Sequence, residues 1–204
     1  MAVSPDARRR NPRGEGERLR AALMEAAAEL LLEHGSADRL SIRSITGRAG
    51  VSPTALYLHF ESKEELVRAV SLAAFQDLWD FLREAVEANE GDPRAQLEAL
   101  GVAYLDFAQR RPGHYRILFA TPGRLAAAGP PGTAEDDPGV AALELLLAAT
   151  ARCLPAGADP EPVAKQLWMG VHGFVSLRAA LPGLDWPSAE EFLRSLYTAH
   201  LGSG

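Results

Sequence analysis

A chain of 204 residues with 47% hydrophobic content can bury a core as one generous domain or as a small domain joined to a larger one, which excludes disorder throughout. Its single cysteine, Cys153, leaves no intramolecular disulfide and no CxxC or Cys/His cluster for structural zinc, a pattern that suits a reducing cytoplasm. The net charge of −6 argues against nucleic acid only until it is divided: residues 1–63 carry 10 Lys/Arg against 8 Asp/Glu and the remainder 11 against 19, a mildly basic front on an acidic body.

Period-two alternation is rare and Ala, Leu, Glu and Arg dominate, so the chain reads as all-α. Residues 1–16 read as a disordered basic tail, with no apolar stretch after the arginines to mark export. Arg8, Arg9, Arg10 and Arg13 are either a solvated tail or an arm reaching into a minor groove. The first helix, 17–34, carries a stripe of Leu19, Leu23, Ala26, Ala27, Leu30 and Leu31 and stops at the glycine of "EHG". Short helices follow at 41–48 and 52–58, the second opened by Ser52 as N-cap and Pro53 at the first helical position. A long helix, 62–89, begins on the capping box "SKEE". Asp92-Pro93 opens 93–110, and 112–119 comes next. Residues 120–139, "ATPGRLAAAGPPGTAEDDPG", read as a mobile surface loop. Asp137-Pro138 and Asp159-Pro160 then start helices at 138–153 and 159–181, and the box "SAEE" starts the last, 188–200. The longest apolar runs, such as "ALELLLAAT", are too short to span a bilayer, so no membrane partner is expected.

The chemistry concentrates in "SIRSITGRAGVSPTALYLHF", residues 41–60. Two short amphipathic helices flank a tight turn; Ile42, Ile45, Ala49, Val51, Leu56 and Phe60 can share a core with the first helix, and Gly50 permits the positive φ of a sharp reversal. This is helix-turn-helix geometry. The second helix is too brief to matter as a packing unit, so its outer face is expected to read DNA. Ser52, Thr54 and Ala55 at its leading end can sit against bases, and Tyr57 and His59 can reach flanking phosphates. Lys63 adds a charge-assisted phosphate contact, and Arg43 is the candidate for bidentate guanine recognition.

The run "SIRSITGRAGVSPTALYLHFESKEEL" resembles the DNA-binding domain of TetR-type transcriptional regulators through "AGVS", "LY.HF" and "SKEEL", over roughly residues 17–70. Gly47 departs from the pattern, since alanine-like residues are more usual there. The resemblance implies a homodimer whose two reading heads bind a palindromic operator on double-stranded DNA, with repression as the usual outcome, and a larger C-terminal domain that senses a small molecule. The expected division is a tail at 1–16, a helix-turn-helix domain at 17–63 and a ligand-binding and dimerisation domain at 64–204, about nine helices in all. "LWMGVHGFVSL", Leu167–Leu177, looks like the Trp-His-Gly signature of one subgroup of such C-terminal domains.

Within the acidic body, Tyr104, Phe107, Trp168 and His172 are the candidates to line an effector cavity, which would be apolar with a few polar groups and would take an apolar or aromatic molecule. His172 can equally be a core or interface histidine; its neighbour Gly173 would let helices approach closely. Phe174, Leu177, Leu181, Phe192, Leu196 and Tyr197 give the last two helices more apolar surface than a hairpin needs, which points to a four-helix interface between two copies. No GxSxG, HExxH, P-loop or GxGxxG arrangement occurs and the five histidines lack metal-ligand spacing, so neither catalysis nor a cofactor is expected.

Overall fold

The computed structural model describes residues 15–120 and 137–202. The expected tail therefore lies outside the described residues except for its last two positions, which form the start of the first helix; the expected 120–139 loop lies outside them except at its ends. Among the described residues there are nine α-helices, one 3-10 turn and no strand.

In chain order these are α1 (Glu15–His34), a 3-10 turn (Ala37–Arg39), α2 (Ile42–Ala49), α3 (Pro53–Leu56), α4 (Lys63–Glu87), α5 (Pro93–Arg110), α6 (Pro112–Leu118), α7 (Pro138–Cys153), α8 (Glu161–Ala180) and α9 (Ala189–Leu201). Most starts follow from local chemistry. Asp92 and Asp137 each accept two backbone N–H bonds ahead of a proline, and Ser188 and Glu191 form a reciprocal capping box. Two signals resolve differently from expectation. Asp159 accepts from the Glu161 N–H, so α8 begins at Glu161 instead of 159. Ser62 accepts from the Glu65 N–H, but the Glu65 carboxylate reaches back to the N–H of Glu61, one residue short of a closed box.

The chain packs as two compact units that divide after Val70. In the first, Leu23, Ala26, Ala27, Leu30 and Leu31 of α1 are buried with Ile45 of α2, Leu56 of α3, and Leu66, Val67 and Val70 at the start of α4. Burial of these α4 residues is why the division falls later than residue 63. Arg48 clamps α2 to α1 with bidentate bonds of 2.8 Å to Glu33 and a 2.9 Å bond to Glu29. Bonding to the Glu33 and Glu29 carboxylates holds the Arg48 guanidinium well above its usual range, and the bond to Arg48 holds the Glu33 carboxyl below its own. The Arg20 guanidinium lies 5.1 Å from the Phe60 ring centroid.

In the second unit α5 is central, packed by α6, α7, α8 and α9. It buries Leu97, Leu100, Gly101, Ala103, Tyr104, Phe107 and Ala108 on one broad face, while Glu98, Val102 and Gln109 stay exposed on the other. Two glycines permit the closest helix approaches. A Cβ on Gly101 would fall on the Tyr197 hydroxyl, and one on Gly170 would lie 2.8 Å from Leu196 Cδ1. Gly173, expected to serve this purpose, faces open space: a Cβ there meets nothing within 4 Å. No helix among the described residues is long and apolar enough to cross a membrane.

Candidate nucleic-acid interface and effector cavity

The helix-turn-helix is built by α2, a turn and α3. Ser41 and Ser44 close a capping box at the start of α2, and Gly50 ends the helix at φ 69°, the left-handed conformation that the reversal requires. Val51 N–H then bonds to Thr46 O at 2.9 Å, which pins the turn. Ser52 caps α3 by accepting from the Ala55 N–H. Its oxygen is thus engaged, leaving the hydroxyl proton for a phosphate or a base acceptor. The regular helix is shorter than the expected 52–58: after Leu56 the backbone tightens, with Leu58 N–H bonding Ala55 O and His59 N–H bonding Leu56 O.

This local geometry sorts the side chains. Leu56 and Phe60 turn inward and are buried, while Ser52, Thr54 and Tyr57 are exposed and Ala55 and His59 half-buried. Arg43 is exposed on α2. Lys63 sits half-buried, its ammonium 3.4 Å from Ala37 O in the 3-10 turn and 3.6 Å from a Glu64 carboxylate oxygen. An ammonium has three donors, so one bond to the turn leaves others for a phosphate. Leu58 is missing from the sequence-based candidates although 75% of it is exposed, beside Tyr57 at 55%. The signal was available: with Leu56 and Phe60 inside, the residue between them must point out.

The second unit holds an apolar cavity of about 70 Å³. Phe75, Leu78 and Leu82 of α4 form one wall; Tyr104 on α5, Trp168 on α8 and Tyr197 on α9 supply the polar atoms of its described side chains. The Tyr197 hydroxyl is consumed by a 2.8 Å bond to Leu97 O, and burial pushes that phenol far up. Of the four expected lining residues, Tyr104 and Trp168 border the cavity. Phe107 does not: it is 0% exposed and meets Phe81 edge to face at 5.4 Å between centroids. His172 stands one layer behind, with Nδ1 2.8 Å from the Tyr115 hydroxyl and 3.3 Å from that of Tyr104, and Nε2 3.4 Å from Ser176 Oγ. Phe119 covers the imidazole at 4.3 Å. Burial lowers the His172 pKa from its ordinary value, so the ring is neutral near pH 7. Burial, with Tyr115 second, raises that of Tyr104, which the Trp168 indole opposes.

The expected interface residues divide. Phe174 is buried and stacks on Phe192 at 4.2 Å with the rings 7° from parallel, and Leu196 packs on Gly170, so these three hold α8 and α9 together, while Tyr197, 3% exposed, ties α9 to α5 through Leu97 and Gly101. Leu177 and Leu181 face outward, joined by Met169 and Leu184, which were not among the candidates. Met169, Gly173 and Leu177 recur every fourth residue on one open side of α8.

Residues 97–199 match the family described as "Tetracyclin repressor-like, C-terminal domain", and residues 23–70 match "Bacterial regulatory proteins, tetR family". The chain is 34% identical over 111 residues to the HTH-type transcriptional activator FasR of Mycolicibacterium smegmatis, covering 54% of this chain and 50% of that protein. It is 31% identical over 103 residues to the nucleoid occlusion factor SlmA of Aliivibrio fischeri, covering 47% and 48% respectively. The chain thus spans about half the length of the curated relatives it matches. A solved structure of a Rhodococcus sp. RHA1 protein of unknown function has a TM-score of 0.69 at 27% identity, covering 94% of this chain and 100% of that one. A putative transcriptional regulator from Pseudomonas aeruginosa PAO1 shares the fold with a TM-score of 0.71 at 23% identity, covering 91% and 90%.

Proposed function

Since the chain belongs to the TetR family of bacterial regulatory proteins, we propose that it is a ligand-responsive transcriptional repressor. A homodimer places two α2–α3 heads in successive major grooves of a palindromic operator, and a small molecule entering the cavity releases it. The observation that carries this reading is the sorting of α3: a helix of four residues whose inner side is buried and whose outer side presents Ser52, Thr54, Tyr57 and Leu58 together. Arg43 reads a guanine, and Leu58 meets thymine methyls. Tyr57, His59 and Lys63 hold the backbone. Release follows from α4, which carries both buried residues of the first unit and the cavity wall Phe75, Leu78 and Leu82. Ligand pressing on that wall displaces the helix and shifts the heads from the one-turn spacing of about 34 Å. The run Leu167–Leu177 we read as the Trp-His-Gly subgroup signature, and the protein as cytoplasmic.

Selection of bound DNA from a random pool tests the reading: the expected product is a palindrome with half-sites one helical turn apart, released by a compound that binds the cavity. Tyr57→Phe and Lys63→Ala should weaken binding to every sequence, Lys63→Ala also flattening the salt slope by about one unit, whereas Arg43→Ala should relax preference at one base pair per half-site. Undiminished binding in all three variants would count against this docking. A second reading, a DNA-bound adaptor without an inducer, draws on the likeness to a relative named as a nucleoid occlusion factor. A ligand that stabilises the protein but leaves operator affinity untouched would favour it.

A further inference from the structure

We propose that the cavity selects an uncharged molecule with an apolar body and a single hydrogen-bond acceptor such as a carbonyl oxygen, gripped by the Tyr104 hydroxyl, whose oxygen the Trp168 indole N–H holds in place. The proposal rests on the reading of this cavity as the effector site and names the chemistry it takes. Among the described residues its lining is hydrocarbon apart from three side chains, and Tyr197 has spent its hydroxyl on Leu97 O. That leaves one polar spot among the described residues, where Tyr104 and Trp168 adjoin. A ligand carbonyl placed elsewhere would lose its water without compensation.

The spot is a donor rather than a charged anchor. The indole gives its one N–H to the phenol oxygen, and the Tyr104 hydroxyl, un-ionised because burial opposes the phenolate, keeps a proton to donate. Behind it, the neutral His172 ring fixes the phenol through Nδ1, while Tyr115 and Ser176 hold the imidazole from either side. The result is a fixed dipolar patch at one end of an oily slot. An ion entering the slot would exchange full hydration for hydrocarbon, which this patch does not offset.

A matched aromatic set tests it on the full chain by calorimetry: acetophenone, cumene, benzoate and phenyltrimethylammonium. The comparison is made within each ligand, because the carbonyl of acetophenone costs desolvation that cumene never faces. Tyr104→Phe or Trp168→Phe should weaken acetophenone by about 3- to 10-fold and leave cumene unchanged or tighter. Retained cumene binding shows that the variant is folded. Both ions should bind more weakly than acetophenone to the unmodified protein. Acetophenone weakened no more than cumene in both variants, an ion bound as tightly as acetophenone, or no binding by any of the four at millimolar concentration would each overturn the proposal. Operator release is scored separately. Acetophenone binding with the expected pattern but without release would refute the ligand-responsive reading alone; release by benzoate would uphold that reading and refute this one.

Discussion

Glycine shows how differently one residue type behaves within a single turn of chain. Gly47 lies inside α2 in ordinary helical backbone, and a Cβ added there meets nothing within 4 Å, so it costs helix stability without return in the free protein. Gly47→Ala should raise unfolding free energy by about 1 kcal/mol in urea titrations. Three residues on, Gly50 sits at φ 69°, where a side chain is strained even with space around it, and Gly50→Ala should lower stability by about 1 kcal/mol. The first glycine departs from family habit; the second is demanded by the turn, and both could be read from the sequence. Gly173 could not, because open space is a property of the surroundings. His172 gives a residue-level pH effect. Burial lowers its folded pKa below the ordinary 6.5, so between those two values the unfolded chain holds the proton that the folded chain resists. Stability from this group is complete above about pH 6.5 and declines as pH falls below it. The drop in melting temperature from pH 7 to about pH 5.5 should therefore be smaller in His172→Gln than in the unmodified protein.

Helix ends were the most legible elements because their causes are local. Asp-Pro and Ser-Pro pairs name both the capping acceptor and the residue that needs no hydrogen bond, and α5 and α7 begin where those pairs place them. The Ser41–Ser44 box and the 3-10 turn at Ala37–Arg39 went unread: serine in place of glutamate is a weak signal, and a single turn has no periodicity. Pairing between elements was harder still. The stacking of Phe174 on Phe192 and the reach of Tyr197 to Leu97, a hundred residues away, depend on which helices meet. Two substitutions separate tight approaches that can yield from those that cannot. Gly101→Ala drives a methyl into a buried phenol tethered to backbone, whereas Gly170→Ala meets the end of a half-buried leucine that can turn aside. Thermal melts should show a loss of about 1–3 kcal/mol for the first and clearly less for the second.

At the scale of the molecule, the outward apolar side of α8 is the feature that one chain leaves uncovered: Met169 is 62% exposed and Leu177 48%, with Gly173 open between them. A second copy packed by symmetry would cover it, and the missing side chain at Gly173 would let the two α8 helices come close. Leu177→Glu should shift the protein to a monomer in light scattering at micromolar concentration and weaken operator binding while the fold is kept; a dimer that survives this change would place the interface elsewhere. Much of this was legible as excess apolar surface, but not which residues carry it, since Phe174 and Tyr197 look the same in sequence as Leu177 and are spent inside.

α4 runs from Lys63 to Glu87 without a glycine or a proline, straight through the place where the two units divide. Each residue of an α-helix advances the azimuth by about 100°, so a single inserted residue beside Val70 would turn everything after it by that angle, while a seven-residue insertion would come back to within about 20°. The seam should therefore forgive many exchanges of letter and almost no change of count. Chimeras that trade sensors between such chains will need to be spliced in phase.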